Sequence, residues 1–248
     1  MMPADLVSLR ILAVLFVATL VRSTLGFGEA LIAVPLLALF IPIQVAAPVV
    51  VLISMTVAAI ALIQDWRHVH FRSASWLVVS TLIGTPLGLL LLTRAEGAVV
   101  KACLGLVLAG FAAYSLLHGS KAVLEDDRLA WPFGLSAGVL GGAYGMNGPP
   151  LVIYGTLRGW SPQHFRATLQ GYFLPASTAS MAGYWLAGLW RPEVTRAYLI
   201  SLPGVLVATL LGRALNGRIG ARSFPRWVNV GLLAVAVMLL AQSLDGVP

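Results

Sequence analysis

The chain has 248 residues, 59% of them hydrophobic and only 10% charged, with a mean hydropathy of +0.91. A soluble domain carries about 25% charged residues, so this composition excludes a soluble globular protein and points to an integral membrane protein. The net charge of +7 does not argue for nucleic acid, because the Arg residues stand singly at the ends of apolar segments, where they reach anionic lipid headgroups.

Residues 6–41 are apolar apart from Arg10, Arg22 and Glu29. As one helix they would extend ~54 Å at ~1.5 Å per residue, against a ~30 Å hydrocarbon core. The stretch GFGEALIAVP at 26–35 resolves the conflict, because glycine at that density interrupts a helical backbone. The expected result is a helix over 6–22, a break at Ser23–Gly28, and a second piece over 29–41 ended by Pro42. Arg10 precedes an apolar stretch with no small-residue cleavage site, so the segment is read as membrane-embedded rather than as a removed signal. The next span covers 46–65 and ends at the polar cluster DWRHVHFR (65–72). Spans at 74–93 and 98–118 follow. The second of these holds the lone Cys103, so a disulfide within the chain is impossible. The loop 119–130 contains KAVLEDDR, the most charged stretch, and marks a boundary between halves 1–124 and 125–248.

The second half repeats the plan. An apolar segment covers 129–157 and carries GMNGPPLVIY at 145–154, with its break expected at Asn147–Pro150. A polar loop GWSPQHFR (159–166) leads to spans at 167–190, 196–215 and 225–243. The two broken stretches lie 119 residues apart (145 − 26): Gly26 falls on Gly145, Gly28 on Asn147, Glu29 on Gly148 and Ala30 on Pro149. Gly84 and Gly88 in the third span are echoed by Ala208 and Gly212 in the seventh, and such four-residue spacing of small residues lets helices approach closely. The expected architecture is therefore an all-α polytopic membrane protein of about eight segments in two repeated halves, each with a broken first helix. Lys and Arg divide almost evenly between the two sides, so the positive-inside rule sets no orientation. Whether each broken segment crosses or turns back, and so whether the repeats are parallel or inverted, stays open.

A broken helix exposes unpaired N–H groups at the start of its second piece, and the macrodipole adds about half a positive charge there. That combination binds anions, and two such breaks at matching positions point to a transporter site. Gly26, Gly28, Gly145 and Gly148 would admit a ligand to the backbone, Asn147 adds an amide, and Pro149 with Pro150 suits the first turn of a new helix. Arg22 and Glu29 are the only opposite charges flanking the first break. Intramembrane charge is costly and marks function by default. Glu29 is the leading proton carrier and Asp65 a distant second, while Arg22 would attract an anion. A direct pair requires the break to fold the two together. The bland alternative has Arg22 snorkelling and Glu29 capping the second helix piece. Arg166 and Gln170, four apart on one helix face, follow the second break. Ser54, Thr56, Ser177, Thr178 and Ser180 are candidates to line a pathway, although such hydroxyls more often bond their own helix.

Other chemistry is weakly supported. His68 and His70 with Asp65 lack a third and fourth metal ligand of suitable spacing, His118 and His164 read as interface residues, and no metal or cofactor is expected. No catalytic or nucleotide-binding motif occurs, so an enzyme is not expected. Trp66, Trp76, Trp131, Trp160, Trp185, Trp190 and Trp227 cluster at segment ends as an aromatic belt does.

The Gly26-Phe27-Gly28 break running into Val34-Pro35, the second element Gly141-Gly142-Ala143-Tyr144-Gly145-Met146-Asn147-Gly148-Pro149-Pro150, and Phe165-Arg166-Ala167-Thr168 after it resemble the TauE/SafE sulfite exporter family over nearly the whole chain. Asn147 stands where that pattern usually has glycine, and Glu29 where it has a small residue. The resemblance implies an inner-membrane permease that exports sulfite or small organosulfonates. The expected function is thus a secondary transporter of a small anion held between the two breaks near mid-membrane. Its expected partners are the anion and membrane lipids, with a homodimer allowed and nucleic acid excluded. The rival readings are an anion channel, whose flux would not saturate or run uphill, and a non-transporting assembly protein, which would copurify with a partner.

Overall fold

A computed structural model describes residues 4–65, 67, 69–117, 124, 127, 129–215, 233 and 236–241, and every regular element among them is a helix. In chain order these are α1 (Ala4–Leu25), α2 (Glu29–Ala38), α3 (Ile43–Asp65), α4 (Phe71–Arg94), α5 (Gly97–Leu117), α6 (Ala130–Tyr144), α7 (Gly148–Leu157), α8 (Pro162–Leu186) and α9 (Pro192–Leu215). Five stretches are long and apolar enough to cross a membrane: Val7–Leu25, Ile43–Ile63, Phe71–Arg94, Gly97–Tyr114 and Pro192–Leu215. α8 is equally long, but its first turns carry His164, Arg166 and Gln170. The expected last span, 225–243, lies mostly outside the described residues, with a helical piece at 236–241. Trp66, His68, His118 and Trp227 lie outside them too.

Both breaks form, with shifted edges. α1 continues three residues beyond the expected end, and the interruption is Gly26–Gly28, with φ of +90° at Gly26 and +99° at Gly28. Only glycine adopts such backbone freely. The second break falls at Gly145–Asn147, not at Asn147–Pro150. Gly145, at φ +66°, ends α6, and both prolines sit inside the first turn of α7. The physical reason is that a first-turn residue needs no N–H for the helix ladder, so Pro149 and Pro150 start a helix rather than break one. The polar loop 159–166 is likewise half helix: Ser161 caps α8 by accepting from the His164 N–H, and Pro162 opens its first turn.

Helix packing crosses between the halves of the sequence. α4 packs along α6, α1 along α9, α3 on α8, and α4 and α3 also meet α8 and α9 respectively. Small residues make the first two contacts. A Cβ placed on Gly84 or Gly88 of α4 would strike the Leu135 or Val139 carbonyl of α6, and one on Gly134, Gly138 or Gly142 of α6 would strike Ser80, Thr81 or Thr85 of α4. Gly212 of α9 is closed in the same way by Leu20 and Ser23 of α1. The backbones therefore touch, which is how helices gain dispersion contact where lipid offers no hydrophobic drive.

α6 and α7 form a hairpin. The Leu124 N–H donates to the Leu157 carbonyl at 2.7 Å, and Arg158 donates to the Leu124 carbonyl at 2.8 Å, so the chain comes out beside the point where it went in. Asp127 fastens this end. Its Oδ1 accepts from Tyr154 at 2.7 Å and from Ser73 at 2.8 Å, and Arg158 lies 3.4 Å away. Burial works to raise the Asp127 carboxyl, but those two hydrogen bonds and the Arg158 charge outweigh it and hold the group below its ordinary value.

Candidate functional site

The break after α1 folds Arg22 and Glu29 onto each other. Arg22 Nη1 contacts Glu29 Oε2 at 2.5 Å, and the two side chains are 3% and 2% exposed. Arg22 therefore does not snorkel, while Glu29 opens the first turn of α2, where a carboxylate also suits the helix dipole. Two turns of uninterrupted helix would hold the groups too far apart; the left-handed glycines turn α2 back so that they meet. Thr19 donates to Glu29 Oε1 at 2.8 Å. Arg22 also donates to Ser54 of α3 at 2.6 Å and to Gln170 of α8 at 2.9 Å, and its guanidinium carbon lies 5.0 Å from the Phe173 ring centroid. Gln170 in turn donates to the Gly26 carbonyl at 2.9 Å, which ties α8 to the break. One arginine thus joins α1, α2, α3 and α8.

Three cavities are strung along α3. The central one lies at Ser54 and is lined by residues of both breaks: Phe27, Gly28 and Glu29 of the first, Gly145, Met146, Asn147, Gly148 and Pro149 of the second, with Arg22 and Phe173 beside them. It offers about 20 Å³ to the centre of a water molecule, room for one or two waters and no more. Toward the C-terminal end of α3, at Val57 and Ala61, a cavity of about 260 Å³ is lined by Arg22, Ser23, Gly26, Gln163, Arg166, Gln170, Thr209 and Arg213. Toward the other end, at Ile43 and Gln44, a second cavity of about 260 Å³ is lined by Ala38–Pro42, Gly97, Val100 and Lys101. The 13 residues from Gln44 to Val57 cover ~20 Å of helix, most of a ~30 Å hydrocarbon core.

The residues singled out in the sequence therefore divide. Gly28, Glu29, Gly145, Asn147, Gly148 and Pro149 line the central cavity, Gly26, Arg166 and Gln170 line the neighbouring larger one, and Arg22 lines both. The two helix starts are unequal. α2 has N–H groups at Glu29, Ala30 and Leu31 in its first turn, whereas Pro149 and Pro150 leave α7 only that of Gly148. The Asn147 amide nitrogen is engaged by the Ala137 carbonyl at 3.2 Å and the Tyr172 hydroxyl at 3.4 Å. Among the hydroxyls, Ser54 belongs to the Arg22 network, while Thr56 and Thr178 bond their own helices. The Asp65 side chain lies outside the described residues.

Thr19, Phe173 and Arg213 were not singled out in the sequence. Thr19 stands three residues before Arg22, on the same face of α1, which was a readable signal. Phe173 and Arg213 carry none, because their place depends on how α8 and α9 pack.

A family model described as "Sulfite exporter TauE/SafE" matches residues 11–239. The chain belongs to the TauE/SafE family. It is 26% identical over 211 residues, 81% of each chain, to a protein of Cupriavidus necator strain H16 named "Probable sulfite/organosulfonate exporter TauE". No solved structure matches. TauE/SafE proteins are membrane transporters, so this one is a transporter and not an enzyme, in line with its apolar helices.

Proposed function

We propose that this TauE/SafE protein is a secondary transporter that exports a small anion, sulfite or an organosulfonate, across the inner membrane. The anion occupies the space between the two breaks. The observation that carries the reading is the central cavity, where residues of both breaks meet a buried arginine. The N–H groups that open α2 and the Arg22 guanidinium supply positive charge; α7 contributes one N–H and an apolar proline wall.

With about 20 Å³ for the centre of a water molecule, the cavity is tighter than a sulfur oxyanion requires. Transport then requires the breaks to part, with a cavity of about 260 Å³ on each side as the two alternate vestibules. Two inverted repeats, 1–124 and 125–248, account for this arrangement. α6 and α7 return to the side of Asp127, and α1 with α2 mirrors them from the side of Pro42. The exchanged contacts α4 on α6 and α1 on α9 are the pairs that a two-fold relation would interchange.

Glu29 carries the coupled proton. Its oxygens face Arg22 and Thr19 of α1, and Ser54 of α3 and Asn147 of the second break share its cavity. Protonating it frees Arg22 for the anion, so proton and anion bind and move together, and export runs on an outward anion gradient that exceeds the opposing proton gradient. The decisive experiment is flux into proteoliposomes made from the purified protein. Sulfite or a sulfonate should accumulate against its own gradient when a pH gradient is imposed, and the initial rate should saturate with concentration. No flux above empty vesicles across the panel rejects transport; flux that never saturates or runs uphill makes the protein a channel.

A further inference from the structure

We propose that the cavity beside the first break is a second oxyanion site, a capture site distinct from the position between the breaks, and that Arg213 of α9 is its main ligand. The inference deepens the anion-transport reading and rests on it. The cavity of about 260 Å³ is lined by three arginines, Arg22, Arg166 and Arg213, with Ser23, Thr209, Gln163 and Gln170 between them, and by no carboxylate among the described residues. Among the described residues the carboxylate nearest in the site, Glu29, is already committed to Arg22.

The lining residues also hold polar atoms packed behind the cavity surface. Arg213 Nη1, Arg22 Nε and Ser23 Oγ are buried and have no hydrogen-bond partner among the described residues. Arg22 as a whole is 2% exposed. What the cavity itself presents is three arginines and four neutral hydrogen-bonding side chains, a lining suited to a partner held from the cavity side. That partner must accept several hydrogen bonds, carry negative charge and fit the space, which describes a tetrahedral or pyramidal oxyanion such as sulfite, sulfate or a sulfonate headgroup.

Arg22 lines both this cavity and the central one, so the capture site has a defined exit. An anion held on Arg213 shares its cavity with Arg22, and Arg22 exchanges Glu29 for the anion as it passes. The positive lining also raises the local anion concentration at the mouth.

Sulfite uptake by wild type, Arg213→Gln and Arg213→Lys, each in phosphatidylcholine vesicles, tests this. Arg213→Gln should raise KM tenfold or more with maximal rate within twofold, and Arg213→Lys should recover most of the loss. Gln163 is exposed, so Gln163→Glu perturbs the mouth without burdening the fold; it should raise KM several-fold, and Gln163→Lys should not. The sulfite-induced rise in melting temperature should shrink in Arg213→Gln. A KM within twofold of wild type for both Arg213→Gln and Gln163→Glu overturns the capture site and leaves transport intact. Dependence on Arg213 seen only when phosphatidylglycerol is added also overturns it, since the ligand is then a lipid headgroup. Failure of wild type to transport any anion rejects the earlier reading instead, and the melting shift then decides: an undiminished sulfite shift in Arg213→Gln, or none in wild type, ends the proposal.

Discussion

Arg22 and Glu29 were legible as charged residues in an apolar stretch, but their meeting was not. Sequence spacing gives seven residues, and only the φ values of +90° and +99° at Gly26 and Gly28 bring the side chains together. The same turn makes the rest of the Arg22 network unreadable in advance, since Ser54 and Gln170 come from α3 and α8. A buried pair of this kind costs about 3–5 kcal/mol when one partner is deleted outright, so the informative change keeps the shape and removes the proton. Glu29→Gln retains acceptors for Thr19 and Arg22 and cannot titrate. Its pH–rate profile for uptake should be flat where the wild type's falls with rising pH, and its apparent affinity should rise roughly five- to tenfold, ~1 kcal/mol, because Arg22 is no longer neutralised. An unchanged profile would clear Glu29 of proton coupling.

At the scale of the element, the existence of two broken helices was readable because a 36-residue apolar run cannot fit the bilayer as one helix. Their edges were not, because Pro149 and Pro150 look like breakers in a sequence and act as starters in the first turn of α7. Missed too was the small-residue row Gly134, Gly138 and Gly142. It is as regular as Gly84 and Gly88, and it is the surface those two residues press on. Gly148, in the first turn of α7, gives the sharpest test at this scale. A Cβ there meets nothing within 4 Å, so a methyl group narrows the cavity without forcing the helices apart. Gly148→Ala should weaken sulfite binding and uptake several-fold while its melting temperature stays close to that of wild type. Wild-type affinity in that variant would mean that the second break is a packing kink.

For the molecule as a whole, composition pointed to an α-helical membrane protein, and two similar broken stretches could be seen 119 residues apart. The relative sense of the two halves could not be read, because Lys and Arg divide almost evenly. What suggests it now is the return of α7 to Leu124 and Asp127 and the order of the cavities along α3. Gln44 and Gln163 line the two outer cavities, so they should face opposite sides of the membrane. In a Cys103→Ser background, Gln44→Cys and Gln163→Cys should each react with a membrane-impermeant thiol reagent from one side only, and from different sides. Labelling of both from the same side would refute the inverted arrangement.

The crossed packing of α4 with α6 and of α1 with α9 has a consequence for how the chain is assembled. The helix made first, α1, lies along α9, and α4 lies along α6. Neither half of the chain can therefore reach its final packing until synthesis of the other is well advanced, and the early helices must wait in the bilayer for partners still to come.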